Sequence, residues 1–266
     1  MSRMKKNENG IAISEAELSS MTRELDMMHK ETFSGVKKSL DDFSANLAHL
    51  ATGRATARRS FLLGAGGLAV VGGVAACSSS GGGSKSSTST GGSSSSSSPY
   101  TGDLKVVALA AALENLAVAA YGMALTAAGK GTYGTVPPAI GTFVTTAMGQ
   151  HKDHAAAWNG VLTKAGLKPI TTPALSITNA EVAKLQAAKT IPDVARVALS
   201  LENAAAETYT FAAANVSDAG GIMTAASIQP VEAMHAAILS FVIGEYPVPV
   251  SFIGIDMAVQ PSALTA

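Results

Sequence analysis

Apolar residues run almost unbroken through residues 104–128, LKVVALAAALENLAVAAYGMALTAA, which hold no proline and, after Lys105, one charge, Glu114. Ala and Leu are strong helix formers, and a helix apolar on every side is a buried one. Further helices are predicted over 138–165, 191–216 and 221–244. Pro192 stands at a first-turn position with Asp193 beside it, a favourable way to open the third. Short links join the first helix to the second and the third to the fourth, so each pair must fold back on itself. A longer stretch, with a short helix over 179–189, separates the pairs. Two hairpins and one long connection predict an all-α four-helix bundle with a single crossover between its second and third helices. Pro230 falls inside the fourth helix and should bend it. The tail from Pro247, with Phe252, Ile253 and Ile255, should pack along the outside.

Ahead of the bundle the pattern changes twice. Phe33, Val36, Leu40, Phe43, Leu47 and Leu50 recur at steps of three and four, as do Leu18, Met21, Leu25 and Met28 one frame earlier. Residues 1–57 therefore read as an amphipathic helical extension without an evident partner. Next come Arg58 and Arg59 and the uncharged stretch 61–76. It falls short of the ~20 residues of a spanning helix and is weakened by five glycines. A signal-peptide core fits it better.

That stretch ends in Val74, Ala75, Ala76 and Cys77, which resembles the lipobox of bacterial lipoproteins, while the arginine pair before Ser60, Phe61 and Leu62 resembles a twin-arginine export signal. The resemblance implies recognition by the twin-arginine translocase, cleavage before Cys77 and lipidation of that cysteine. The chain would be held at a membrane in the cell envelope, outside the cytoplasm, and residues 1–57 would stay behind in the cytoplasm. The expected organisation is an extension over 1–57, signal and lipobox over 58–77, a tether over 78–99 and a bundle over 100–266. The tether is nearly all Ser, Gly and Thr, and roughly 21 flexible residues reach some 25 Å.

Charge and cysteine content narrow the field. Lys and Arg number 19 against 19 Asp and Glu, a formal net charge of +0, and no basic stripe marks a nucleic-acid footprint. With one cysteine the chain makes no internal disulfide and no thiolate metal cage.

The chemistry concentrates on four bundle positions. The first and third helices share a phrase, Leu113-Glu114-Asn115 with Tyr121 seven residues beyond the Glu, and Leu201-Glu202-Asn203 with Tyr209 again seven beyond. Seven residues are close to two turns, so each Glu and Tyr share a face. The second and fourth helices hold His151 with His154 and Glu232 with His235, each pair one turn apart. Glu114 is the lone charge between Lys105 and Lys130, and Glu232 between Asp218 and Glu245. A bare buried carboxylate costs several kcal/mol, so these must be paired, protonated or metal-bound. Gln150 and Asp153 lie off the face of His151 and His154. Trp158 reads as a packing aromatic, and Glu207 as an exposed residue.

At these residues the chain resembles the ferritin-like superfamily, which includes bacterioferritins, rubrerythrins and ferritin-like domains of stress- and desiccation-associated bacterial proteins. The resemblance spans about 104–245. It implies a ferritin-like bundle in which Glu114 and Glu202 are the single-Glu ligands, Glu232 and His235 the Glu-x-x-His pair, His154 the second-helix histidine, and Tyr121 and Tyr209 outer partners. His151 stands where the family places a bridging glutamate, lowering the carboxylates from four to three. The cofactor implied is one or two divalent transition-metal ions, Fe or Mn ahead of Zn. Oxidant scavenging or oxidase chemistry is the function expected; a metal-free structural or stress-protective surface lipoprotein is the alternative. A homo-oligomer is compatible with the sequence, but a closed storage cage suits a lipid-tethered subunit poorly.

Overall fold

The computed structural model describes residues 10–64 and 98–266, without the side chains of 50–64. The side chains of Arg58 and Arg59, Cys77 and nearly all of the Ser/Gly stretch lie outside the described residues. Six helices are described: α1 (Glu15–Gly64), α2 (Asp103–Gly129), α3 (Pro138–Lys164), α4 (Thr178–Ala187), α5 (Ile191–Asn215) and α6 (Ala219–Ile243). The four bundle helices fall within about two residues of the expected bounds.

Each helix end has a local cause. Pro138 and Pro192 open α3 and α5. Thr190 and Asp193 form a reciprocal capping box on α5, the side chain of each accepting the other's backbone N–H. Asp218 caps α6 by accepting from the amides of Gly220 and Gly221, and Gly244 stops α6 with φ 77, where a side chain would be strained. Pro230 lies inside α6, which continues past it as one helix.

α2 packs on α3 and α5 on α6, and the two hairpins meet through α2 and α5. The connection carrying α4 crosses between them, which gives the ferritin-like topology. α2 and α6 are each long and apolar enough to cross a membrane, yet in this fold most of the apolar window of each is buried. The tail lies outside the bundle, as its prolines suggest: the Val259 amide donates to Thr208 Oγ1 at 2.8 Å and Leu264 pairs with Leu175. Phe252 remains in solvent, and Glu207, expected to be exposed, is half-buried and accepts from the Met257 amide.

The extension has a partner after all, namely the bundle. α1 lies against α3 and α6, with Leu18, Leu25, Phe33, Val36, Leu40 and Phe43 buried. Its apolar stripe departs from expectation at Met28, which is 41% exposed, while the neighbouring His29 is turned inward at 6%. The Ala12 amide donates to the Val242 carbonyl at 3.0 Å, Asn46 donates to Asp218 at 2.8 Å, and Lys164 pairs with Asp41. The crossing with α6 is close enough to demand glycine: a Cβ on Gly220 would lie 2.4 Å from the Ser39 carbonyl oxygen.

Candidate metal centre

The six expected site residues converge in the middle of the bundle, none more than 2% exposed. α2 supplies Glu114, α3 His151 and His154, α5 Glu202, and α6 Glu232 and His235. Their isolation in otherwise apolar helices is what forces them together, since each carboxylate finds compensation on at least one other helix.

His151 occupies the middle. Its Nδ1 lies 2.7 Å from Glu114 Oε2 and 3.7 Å from Glu232 Oε2, and its Nε2 lies 3.2 Å from Glu202 Oε1. One imidazole thus spans two carboxylates through its two nitrogens. His154 Nδ1 faces Glu232 Oε1 at 3.2 Å and Glu114 Oε1 at 3.5 Å. His235 Nδ1 stands 3.4 Å from Glu202 Oε2 and 3.4 Å from Glu232 Oε2.

The repeated Leu-Glu-Asn phrase resolves into a reciprocal exchange. Tyr121 of α2 donates to Glu202 of α5, and Tyr209 of α5 donates to Glu114 of α2. Each tyrosine serves the other helix's glutamate and leaves it a second oxygen for the centre. Trp158 is more than a packing aromatic, because its indole N–H donates to the Tyr209 hydroxyl at 2.9 Å.

Two residues escape a reading of the sequence. Gln150, which lies off the ligand face, is buried, and its Oε1 accepts from His235 Nε2 at 2.8 Å. His29 of α1 stacks on Phe33 and brings its Nε2 within 3.3 Å of His154 Nε2. A signal existed in the series Leu25, His29, Phe33, each one turn apart on the buried face.

Electrostatics follow from the crowding. Burial alone would raise Glu114, but His154 and His151 hold it down at about 2. Glu202 is likewise held well below the usual carboxylate range, against its burial, by His151 and His235. Burial disfavours charge on the histidines, yet the glutamates outweigh it: His154 rises to about 9, His151 well above its ordinary value, and His235 upward. Burial, reinforced by the facing carboxylates, pushes both tyrosines up and keeps them protonated donors. His29 moves the other way, down to about 4, through burial and the neighbouring His154.

The donor set fits a cation. His154 Nδ1, His235 Nδ1, Glu202 Oε2 and both oxygens of Glu232 are buried without a hydrogen-bond partner. Native interiors seldom leave such atoms orphaned. Ligand atoms of Glu114, His151, His154 and Glu232 lie within 4.8 Å of one another, as do those of His151, Glu202, Glu232 and His235. Two overlapping four-residue sets share His151 and Glu232. Mixed imidazole and carboxylate donors suit Fe, Mn or Zn and leave the choice among them open.

No curated protein and no solved structure matches the chain. A profile of the ferritin-like domain matches residues 98–245, which spans α2 to α6 and every residue of the buried cluster except His29. The chain belongs to the ferritin-like domain family.

Proposed function

We propose that this is an exported, lipid-anchored ferritin-like protein that binds one or two divalent transition-metal ions in its bundle core and uses them to scavenge oxidants. The observation that carries the metal reading is the set of five orphaned donor atoms facing one another in a buried interior. Glu114, His154, Glu202, Glu232 and His235 would hold the metal, with His151 between the carboxylates. A bound metal pair supplies the capacity to activate dioxygen or peroxide. The chain's own residues do the rest: Tyr121 and Tyr209 orient one oxygen of Glu202 and Glu114, Gln150 fixes His235, and the packed helices exclude bulk water.

Export and anchoring rest on the arginine pair, the apolar stretch and Cys77. A twin-arginine route suits a domain that folds, and takes up metal, before crossing. Cleavage at Cys77 would part α1 from the bundle face it covers in the intact chain.

One observation favours a second reading. Because His151 already lies within hydrogen-bonding distance of both Glu114 and Glu202, a protonated imidazole there could stand in for a metal and leave a metal-free structural lipoprotein. Metal analysis of protein purified from its native host decides between them. At least one equivalent of a transition metal, lost to chelator with a fall of several degrees in Tm, is the expected result. Less than a tenth of an equivalent, with no chelator effect, sinks the metal reading. Binding without oxidase or peroxidase turnover would mark sequestration instead.

A further inference from the structure

We infer that His29 is a positioning residue for the metal ligand His154 in the unprocessed chain, which makes α1 a wall of the centre until cleavage at Cys77 removes it. The inference rests on the metal reading above and goes beyond it, because His29 lies outside the matched domain and belongs to no expected ligand set.

The geometry assigns the protons. His154 turns Nδ1 toward Glu114 and Glu232, so Nδ1 must present its lone pair when a cation is held there. Its hydrogen then sits on Nε2, and the group facing Nε2 is His29 Nε2 at 3.3 Å. His29 therefore accepts through Nε2 and carries its own hydrogen on Nδ1. The surroundings fix the plane of the His29 ring, since it is 6% exposed, stacks on Phe33 at 4.8 Å and lies tilted against His154 with centroids 5.3 Å apart.

A second histidine of the centre, His235, is treated alike. His235 also turns Nδ1 inward and donates from Nε2, there to Gln150 Oε1 at 2.8 Å. Each of these two rings thus has its tautomer set by an acceptor behind it. One acceptor comes from the bundle and the other from α1, so the bundle by itself completes only half of the arrangement. Outer partners of this kind fix ring orientation and raise ligand basicity.

The test uses the full chain with Cys77→Ser to keep it unprocessed, and cobalt(II) as the probe. Binding is followed by visible absorption and by competition with a chelating dye. His29→Leu, close in volume but unable to accept, should weaken binding about 10- to 100-fold and shift the cobalt bands. His29→Gln, whose Oε1 can take the same hydrogen, should recover most of that loss. In the unsubstituted chain, long-range 1H–15N correlations should show His29 protonated on Nδ1. Wild-type affinity and spectrum in His29→Leu overturn the inference, as does a Gln variant no better than Leu, or a His29 protonated on Nε2. A wild-type chain that takes up no cobalt sinks the metal reading itself; uptake by wild type with His29→Leu unimpaired sinks only the role of His29.

Discussion

Replacing Gly220 with alanine tests the docking of α1 through the sign of its effect. An added Cβ would stand 2.4 Å from the Ser39 carbonyl oxygen and 3.1 Å from Phe43 Cβ, both on α1. Neither is the free end of a flexible side chain, so relief means moving the helices apart by about 1 Å to reach ordinary contact near 3.5 Å. Overpacking of this kind costs about 1–3 kcal/mol. Phe43 is fully buried at the crossing, and partly uncovering it adds about 1 kcal/mol. For a domain of this size, about 2–4 °C is lost per kcal/mol, so Tm should fall by roughly 5–15 °C. If α1 stood free in solution, the same substitution would place alanine in an exposed helix and gain up to about 1 kcal/mol. Tm would then rise. Thermal melts of the unprocessed chain, with amide exchange of residues 36–43 as a local probe, decide the matter. An unchanged or higher Tm with unchanged exchange refutes the docking of α1 on α6.

Other outcomes follow from the centre. Tyr209→Phe removes the donor to Glu114 and the acceptor for Trp158, and should cost about 2–5 kcal/mol in chemical denaturation; adding Trp158→Phe should return part of it, and a strictly additive pair would contradict the relay. In metal-free protein, Glu114 and Glu202 are depressed, so their stabilisation is present above about 4.5 and fades as pH falls toward 2; His29, depressed to about 4, adds to that acid loss from 6.5 downward. His154 is raised, so its share is present below 6.5 and is lost as pH rises through about 9. Stability without metal should therefore peak near pH 6.5, and a Tm climbing steadily from pH 6.5 to 9.5 would falsify this charge assignment. Cys77→Ser should leave an unprocessed precursor that incorporates no labelled fatty acid in cells, and labelling that persists in this variant would argue against a lipid anchor at Cys77.

Much of the bundle was legible because its signals are local. Pro138 and Pro192 open helices and Gly244 ends one through the conformations they permit, and the apolar surroundings of Glu114 and Glu232 announce buried carboxylates. What stayed hidden depends on pairing between distant segments. His29 sits beside Lys30 and Glu31 and reads as part of a solvated face until a helix 125 residues away covers it. Gln150 points off the ligand face, and only the approach of α6 gives it His235 to hold. The repeat in α2 and α5 placed each tyrosine on the side of its own glutamate; that they exchange glutamates follows from how the hairpins dock.

That exchange also constrains the order of assembly. Each hairpin carries one glutamate of the pair and the hydroxyl that satisfies the other hairpin's glutamate. Sliding α5 along α2 by a single turn, about 5.4 Å, breaks both bonds at once. The pair works as a register key with one fitting position. Each hairpin brings three of the six residues, and each four-residue donor set draws on both, so neither set is complete until the two halves lock.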